Sequence, residues 1–312
     1  MAPAPLRLLL VDMNNGVPNE AVRCFRRLFE AFATKAREAN PGLETPLLHV
    51  QPRNLDEVAP SDTDLVLSSG GPGSPHDGYD QPWADNYRAF LDTVVEKNVK
   101  SPQTAPSVFA VCHSFELCVL HFGVATMRER VATKFGLMPA YVTAEGMKSD
   151  VFQPFGDRLF AFEHRGWEAV DLDEKKLQKL GGSLLARESR EGRTDKGEAL
   201  LAFQFAPGVV GTQFHPEADK PGVVAWISRP EKALAFKMAY GDELYERMMK
   251  SLGDPTRLAR TFAIMIPGWL TRRFNKIAEV RGYKPIAMPE ESMEAFEAIN
   301  ERPATSTAGA TG

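Results

Sequence analysis

The chain of 312 residues has few cysteines, little net charge and no long apolar run. Its three cysteines, Cys24, Cys112 and Cys118, are an odd number in a long chain, which excludes a disulfide scaffold and favours a reducing compartment. The formal net charge of −4 excludes a general polyanion binder, so we expect no nucleic-acid partner. The longest later apolar stretch, residues 262–270, is about half a membrane span, so no integral membrane segment is expected.

Targeting, metal and cofactor signals are also missing. The amino-terminal apolar run, residues 6–11, is too short for the hydrophobic part of a secretory signal, and we predict a cytoplasmic protein. The six histidines show no paired spacing and the cysteines form no Cys-x-x-Cys unit, so no metal site is predicted. The glycine-rich segment at residues 70–73 is not followed by Gly-Lys-Ser/Thr, so it does not predict a phosphate-binding loop. We expect no cofactor.

Short apolar runs alternate with amphipathic segments over the first part of the chain. Residues 6–11, 64–69 and 107–112 are typical of buried strands, and residues 20–36 carry apolar side chains at helical spacing. This alternation predicts an α/β fold with a mostly parallel central sheet flanked by helices. Within residues 130–214, short strand-like runs separated by Gly, Asp and Pro turns predict an antiparallel extension of that sheet.

The carboxy-terminal part has a helical pattern. Residues 231–250 predict one helix, and Asp254-Pro255 is typical of an N-cap followed by a first helical position. We expect Pro267 to kink or end the helix that begins there. The apolar centre and basic flanks of this segment would suit a membrane surface, but Pro267 interrupts the amphipathic face, so packing on the core is favoured.

Cys112 lies where an apolar run passes directly into a helical pattern. Ala110 and Ser114, two residues before and two after it, are small enough for the sharp strand-to-helix turn that presents a nucleophile. The start of a helix is expected to lower the pKa of a thiol. Cys24 and Cys118 lie within helical apolar patterns and are expected to be packing residues.

Two further segments could complete a site around Cys112. The run ending in His215-Pro216-Glu217 would deliver a base to the end of a strand, with a carboxylate behind the imidazole. A lone histidine at a strand end is more often satisfied by solvent. The glycines at residues 70–73 follow another apolar run, and an N–H group there, with the one after the nucleophile, could bind a developing oxyanion.

Together, and in this order, the three segments resemble the class I glutamine amidotransferases, such as the amidotransferase domain of GMP synthase. The resemblance covers residues 6–219 and implies a flavodoxin-like amidotransferase fold. It implies that Cys112 is the nucleophile, His215 the base and acid, and Glu217 the residue that orients His215. The N–H groups of Gly71 and His113 would form the oxyanion hole.

The resemblance also implies a substrate pocket, and here the chain departs from the family. Gly70, Glu116 and His164 occupy positions that would line the pocket. The family pattern at the nucleophile is Gly-x-Cys-x-Gly-x-Gln, whereas this chain has Ala110, Ser114 and Glu116. The carboxylate of Glu116 would repel an anionic group or attract an amine, so we expect an altered substrate or a conditional activity.

The resemblance implies a hydrolase that releases ammonia from glutamine through a cysteine thioester, for a separate synthase or acceptor enzyme. One alternative is a γ-glutamyl amide or peptide hydrolase of the same fold, and another is a non-catalytic regulatory or binding homologue. We predict a class I glutamine amidotransferase-like domain at residues 1–222. A helical C-terminal extension at residues 223–302 and a disordered tail at residues 303–312 would follow it.

Overall fold

A computed structural model describes residues 3–17, 19–189 and 198–301 of the chain, and the tail predicted at residues 303–312 lies outside them. Nine strands form one sheet in the described residues. They are β1 Leu8–Val11, β2 Leu47–Val50, β3 Leu65–Ser68, β4 Ser107–Val111, β5 Thr126–Val142, β6 Arg158–Val170, β7 Ser183–Arg187, β8 Leu200–Ala206 and β9 Val209–Thr212. Their order across the sheet is β2-β1-β3-β4-β9-β8-β6-β5-β7.

Helices lie between the strands and after them. They are α1 Glu20–Ala39, α2 Pro52–Leu55, α3 Pro82–Lys100, α4 His113–Phe122, α5 Ala144–Lys148, α6 Glu174–Lys179, α7 Lys220–Ile227, α8 Pro230–Tyr240, α9 Asp242–Ser251, α10 Arg260–Arg281 and α11 Met293–Glu301. A 3₁₀ turn at Gln153–Phe155 and a π turn at Pro255–Ala259 complete the described elements. Among the helices in the described residues, none has the length and apolar character needed to cross a membrane.

The sheet is mixed, which corrects the prediction of a mostly parallel sheet. Strands β2, β1, β3, β4 and β9 pair in parallel, whereas the pairings among β9, β8, β6, β5 and β7 are antiparallel. The first four strands along the chain are separated by helices, which bring each strand back in the same direction. The later strands include β8 and β9, which are joined by the short turn at Pro207-Gly208. The predicted antiparallel extension is confirmed.

The sheet has a hydrophobic core on each face. Leu8, Leu10 and Phe109 point to one face and pack with α1 and α10. Leu9 and Val108 point to the other face and pack with α3 and α4. Successive residues of a strand alternate between faces, so two covered faces favour strands with continuous apolar runs, such as β1 and residues 108–111 of β4.

The carboxy-terminal helices differ from the prediction in two places. The single helix predicted at residues 231–250 is divided into α8 and α9 at Gly241, whose φ of +87° is incompatible with a continuous helix. Helix α10 continues through Pro267 instead of ending there. Proline removes one backbone hydrogen bond, and the buried side chains of Ile266 and Trp269 on either side show that packing holds both halves in place.

Helix α10 is part of the central core. Trp269 is 2% exposed, and its ring lies edge-on to Phe109 of β4 with 5.5 Å between centroids. Phe274 contacts Phe32 of α1 in the same way at 5.8 Å. Residues on both sides of position 222 therefore share one core, and the predicted domain boundary at that position stays a prediction.

Replacing Trp269 with alanine should destabilise the protein because it removes a fully buried side chain from behind β4. We expect a loss of about 3–5 kcal/mol in the free energy of unfolding, measured by urea denaturation with circular dichroism. Val280 lies on the same helix and is 50% exposed. Val280→Ala should change the free energy of unfolding by less than about 0.5 kcal/mol. Equal effects of the two substitutions would contradict a core position for Trp269.

Candidate active site

Cys112 forms the junction between β4 and α4. Its backbone has φ 50° and ψ −105°, in a region that residues other than glycine rarely adopt. Its N–H group donates to the carbonyl of Thr212, the last residue of β9, at 2.8 Å. Ala110 and Ser114 are fully buried on either side of it. The turn therefore has the small neighbours and strained central residue of a nucleophile elbow.

The hydroxyl of Ser114 connects this elbow to the glycine-rich loop. It donates to the carbonyl of Ser69 at 2.6 Å and lies 2.8 Å from the hydroxyl of Ser68. Tyr87 of α3 donates to the same Ser68 hydroxyl at 3.0 Å. Ser114 is therefore more than a small residue that the turn can accommodate, because it fixes the loop relative to α4.

Gly70 and Gly71 let the loop approach the elbow closely. A Cβ atom at Gly70 would lie 3.1 Å from Cε1 of His215 and 3.3 Å from Cβ of Cys112. One at Gly71 would lie 2.1 Å from the carbonyl oxygen of Met13. Among the described residues, no backbone carbonyl accepts from the N–H of Gly71 or of His113. Both predicted oxyanion donors therefore keep their hydrogen-bonding capacity.

His215 and Glu217 follow β9 and form a hydrogen-bonded pair. The N–H of His215 donates to the carbonyl of Phe162 at 2.9 Å, which holds the segment against β6. Its Nδ1 atom lies 2.8 Å from Oε1 of Glu217, whose side chain is 1% exposed. The imidazole also lies beside the Cys112 side chain, because a Cβ atom at Gly70 would contact both of them. Cys112, His215 and Glu217 are therefore neighbours in that order, and His215 is hydrogen-bonded to Glu217.

The two members of the thiol–imidazole pair have shifted pKa values. Burial raises the pKa of Cys112, and the carboxylates of Glu116 and Glu217 raise it further, although His215 lowers it. The thiol pKa is thus shifted in the direction opposite to the one expected from the helix start, because burial dominates. Burial by itself lowers the pKa of His215, but Glu217 and Cys112 outweigh it and raise that pKa well above the usual value.

Glu116 is buried behind the nucleophile. Its Oε1 atom accepts a hydrogen bond from Nε2 of Gln213 at 2.9 Å, and its Oε2 atom lies 3.5 Å from Nδ1 of His113. The same Gln213 nitrogen is 4.0 Å from Sγ of Cys112. Glu116 is 3% exposed, so little of its side chain is available for direct contact with a ligand. It influences Cys112 through its negative charge and through its hydrogen bond with Gln213. A role for Glu116 in substrate binding stays a prediction.

His164 lies on β6, at the mouth of the site. Its ring centroid is 4.6 Å from that of Trp226 on α7 and 5.8 Å from that of Phe135 on β5. His164 is exposed on one side, but desolvation of the side that packs on these rings lowers its pKa to about 4, and the positive charges of His215 and Lys232 lower the pKa in the same direction. His164 is therefore neutral at neutral pH.

The structure brings all eight residues singled out in the sequence to one region, the carboxyl ends of β3, β4 and β9 with the adjoining part of β6. Sequence reasoning missed Gln213 and Arg53. Gln213 stands in the same segment as His215 and could have been noticed there. The guanidinium of Arg53 donates to the carbonyls of Met13 and Pro72 at 3.0 and 2.9 Å and holds the loop, but no motif surrounds it.

Replacing Glu116 with glutamine should lower the pKa of Cys112, because the substitution removes a buried negative charge and keeps the side-chain size. At neutral pH the rate of alkylation by iodoacetamide should rise about threefold or more. The pH dependence of labelling, followed by mass spectrometry, measures the change. The Cys112→Ala variant measures the background labelling of Cys24 and Cys118, whose pKa values are raised strongly by burial. An unchanged or higher pKa of Cys112 would contradict this role of Glu116.

Replacing Gly71 with alanine should destabilise the loop, because the new Cβ would collide with the backbone carbonyl of Met13. We expect the free energy of unfolding to fall by about 1–3 kcal/mol. Gly166→Ala is the matched control, since a Cβ at Gly166 meets nothing within 4 Å. Urea denaturation of both variants tests the contact, and a Gly71→Ala protein as stable as the control would show that the loop does not need glycine.

Comparison with known proteins gives matches to solved structures alone. No protein-family model matches the sequence, and no curated protein is significantly similar to it. A glutamine amidotransferase from Thermotoga maritima matches 88% of this chain and 97% of its own, at 15% identity and a TM-score of 0.51. A glutamine amidotransferase from Methylobacillus flagellatus matches 93% of this chain and 100% of its own, at 13% identity and a TM-score of 0.52.

The glutaminase domain of a Trypanosoma brucei CTPS, solved with bound acivicin, is also similar. It matches 76% of this chain and 95% of its own, at 14% identity and a TM-score of 0.50. These matches extend over most of each solved chain, and they confirm the fold that the sequence motifs imply. This chain has the fold of the glutamine amidotransferases.

Proposed function

We propose that this protein is a glutamine amidotransferase-type hydrolase that releases ammonia from glutamine through a thioester on Cys112. The observation that carries the proposal is the strained Cys112 with the imidazole of His215 beside it and Glu217 hydrogen-bonded to that imidazole. Acyl transfer by cysteine requires a nucleophile, a base next to it and a carboxylate that orients the base. Cys112, His215 and Glu217 have these positions.

Each residue has a defined task in the reaction. The Cys112 sulfur attacks the side-chain amide carbon of glutamine, and the N–H groups of Gly71 and His113 bind the oxyanion that develops. His215 donates a proton to the leaving nitrogen as the carbon–nitrogen bond breaks, and ammonia departs. Water then attacks the thioester, its proton passes to His215, and glutamate is released from the Cys112 sulfur.

Glu217 and Glu116 influence this reaction in different ways. Glu217 raises the pKa of His215 and so favours the imidazolium that protonates the leaving nitrogen. Glu116 raises the pKa of Cys112 and so disfavours the thiolate that attacks. An enzyme with both residues should be slow on glutamine by itself, which agrees with the conditional activity expected from the sequence.

We place the activity in the cytoplasm, and we assign the released ammonia to a separate synthase or acceptor enzyme. The similarity to a structure described as a CTPS glutaminase domain supports ammonia release as the chemistry of this fold. A non-catalytic homologue would gain nothing from the strain at Cys112, because backbone strain of this kind costs about 1–3 kcal/mol. A γ-glutamyl hydrolase would use the same residues, and it is taken up below.

Two substitutions test the proposal. Cys112→Ala should abolish ammonia release from glutamine, and Glu217→Gln should reduce the rate about a hundredfold or more, because His215 loses the negative charge that orients it and stabilises its protonated form. Ammonia release is measured by a coupled assay, and mass spectrometry of the quenched wild-type protein should show one glutamyl group on Cys112.

The control is Glu38→Gln, on the exposed side of α1, which should leave ammonia release unchanged. Ammonia release by Cys112→Ala at the wild-type rate would contradict the proposed mechanism. A wild-type protein that releases no ammonia and is not labelled at Cys112 by a thiol alkylator would contradict the proposed function itself.

A further inference from the structure

An aromatic wall contributed by β5, β6 and α7 lies beside His215. We give this name to Phe135, Phe162, His164 and Trp226. The ring of Phe162 lies 6.2 Å from that of His215 and 5.9 Å from that of Trp226, measured between centroids. Trp226 also lies 4.9 Å from Phe135, edge-on. Trp226 is half-buried and His164 is exposed, so the wall presents part of its surface at the mouth of the site.

The wall continues outward along one face of β6. Phe162 and His164 are two residues apart, so their side chains share a face, and Gly166 is the next position on it. A Cβ atom at Gly166 would meet nothing within 4 Å, so the face is open there. The surface that continues from His164 is therefore not covered by other residues at Gly166.

A positive charge borders this wall. The Nζ atom of Lys232 on α8 lies 5.1 Å from the ring centroid of Trp226. Lys232 forms no ion pair with any side chain in the described part of the chain. His164, whose pKa is lowered to about 4, presents an uncharged ring at neutral pH. The surroundings thus combine neutral aromatic surface with one cation whose charge is not balanced by a neighbouring carboxylate.

The reaction places the leaving amine next to this wall. His215 donates the proton to the leaving nitrogen, so the amine side of the bond that breaks faces the His215 ring. Phe135 and Phe162 are buried, so Trp226 and His164 are the rings of the wall that a leaving group can contact, and ammonia has no apolar surface to place against them. An amine that carries an aromatic ring would stack on Trp226 and His164, and a carboxylate on that amine would be attracted by Lys232.

We infer that Trp226, His164 and Lys232 form a leaving-group subsite for γ-glutamyl dipeptides whose carboxy-terminal residue is aromatic. The inference rests on the proposed cysteine-hydrolase function and names a substrate class for the same site. Trp226 and Lys232 belong to α7 and α8, beyond the segment that resembles the amidotransferase family. These helices thus supply a substrate-binding surface to the catalytic residues.

The reaction on such a dipeptide balances without a further reactant. The Cys112 sulfur bonds to the γ-carbonyl carbon, the carbon–nitrogen bond breaks, and His215 gives its proton to the amino group of the departing aromatic amino acid. Water then adds to the thioester and its proton returns to His215. The carbon–sulfur bond breaks and His215 gives that proton to the sulfur, which yields glutamate and the Cys112 thiol.

Three substrates separate the contributions: γ-glutamylphenylalanine, γ-glutamylglycine and γ-glutamylphenethylamide, which has the ring but no carboxylate. We expect kcat/KM for γ-glutamylphenylalanine to exceed that for γ-glutamylglycine by about tenfold. Trp226→Ala should remove most of this preference, and Trp226→Phe should keep most of it because a ring remains. Release of the free amino acid is measured by chromatography.

Lys232 is tested separately, so that the inference stays falsifiable even if Trp226→Ala does not fold. Lys232→Met should reduce the preference for γ-glutamylphenylalanine over γ-glutamylphenethylamide about threefold. Lys237→Met is the matched control on the same helix, where the lysine pairs with Asp242 at 2.9 Å and faces Tyr245, so the preference should not change.

The outcomes distinguish this inference from the proposed function. Equal kcat/KM for the phenylalanine and glycine dipeptides, or the same preference in wild type and Trp226→Ala, would overturn the subsite. If glutamine is still hydrolysed in that case, the proposed function stands. Failure to cleave glutamine and every dipeptide, with Cys112 unreactive toward iodoacetamide, would overturn both. Cleavage of γ-glutamylphenylalanine that is lost in Cys112→Ala and weakened in Lys232→Met supports the subsite.

Discussion

The positive-φ backbone of Cys112 is the constraint on which the rest of the site depends. Holding a residue with a side chain there costs about 1–3 kcal/mol, and the surrounding structure has to offset that cost. Strand β4 lies between β3 and β9, so the residue is fixed from both sides. The Thr212 carbonyl accepts its N–H, and Ser114 ties the following helix to Ser69. The core on one face of the sheet supports the same strand, since Trp269 packs against Phe109 of β4.

Buried charge sets the chemistry that this geometry makes possible. Two carboxylates act on the thiol–imidazole pair: Glu217 raises the pKa of both His215 and Cys112, whereas Glu116 raises the pKa of Cys112. Glu217 hydrogen-bonds to His215 and supports its protonated form, whereas Glu116 faces the thiol side and works against its ionisation. The hydrogen bond from Gln213 allows the Glu116 carboxylate to be buried, since an unpaired buried carboxylate would be far more costly.

The helices after residue 222 have two roles in the structure. Helix α10 is structural, because its apolar side chains complete the core on the face shared with α1. Helices α7 and α8 lie instead at the mouth of the site, where Trp226 and Lys232 border the rings of β6. What the sequence presents as one helical addition is therefore divided by the fold into a part that supports the core and a part that borders the candidate site.

The sequence by itself determined the local features. The elbow at Cys112 and the contact between His215 and Glu217 each depend on a few neighbouring residues, whose size and backbone freedom can be judged without the rest of the chain. The need for glycine at position 71 comes instead from the carbonyl of Met13, which only the fold brings next to it. The tertiary structure alone decided the mixed sheet, the continuous helix through Pro267 and the burial that reverses the expected pKa shift of Cys112. It also decided that Glu116 meets Gln213 and that Trp226 meets His164. Such partners are far apart along the chain, and only the packing of strands and helices brings their side chains together.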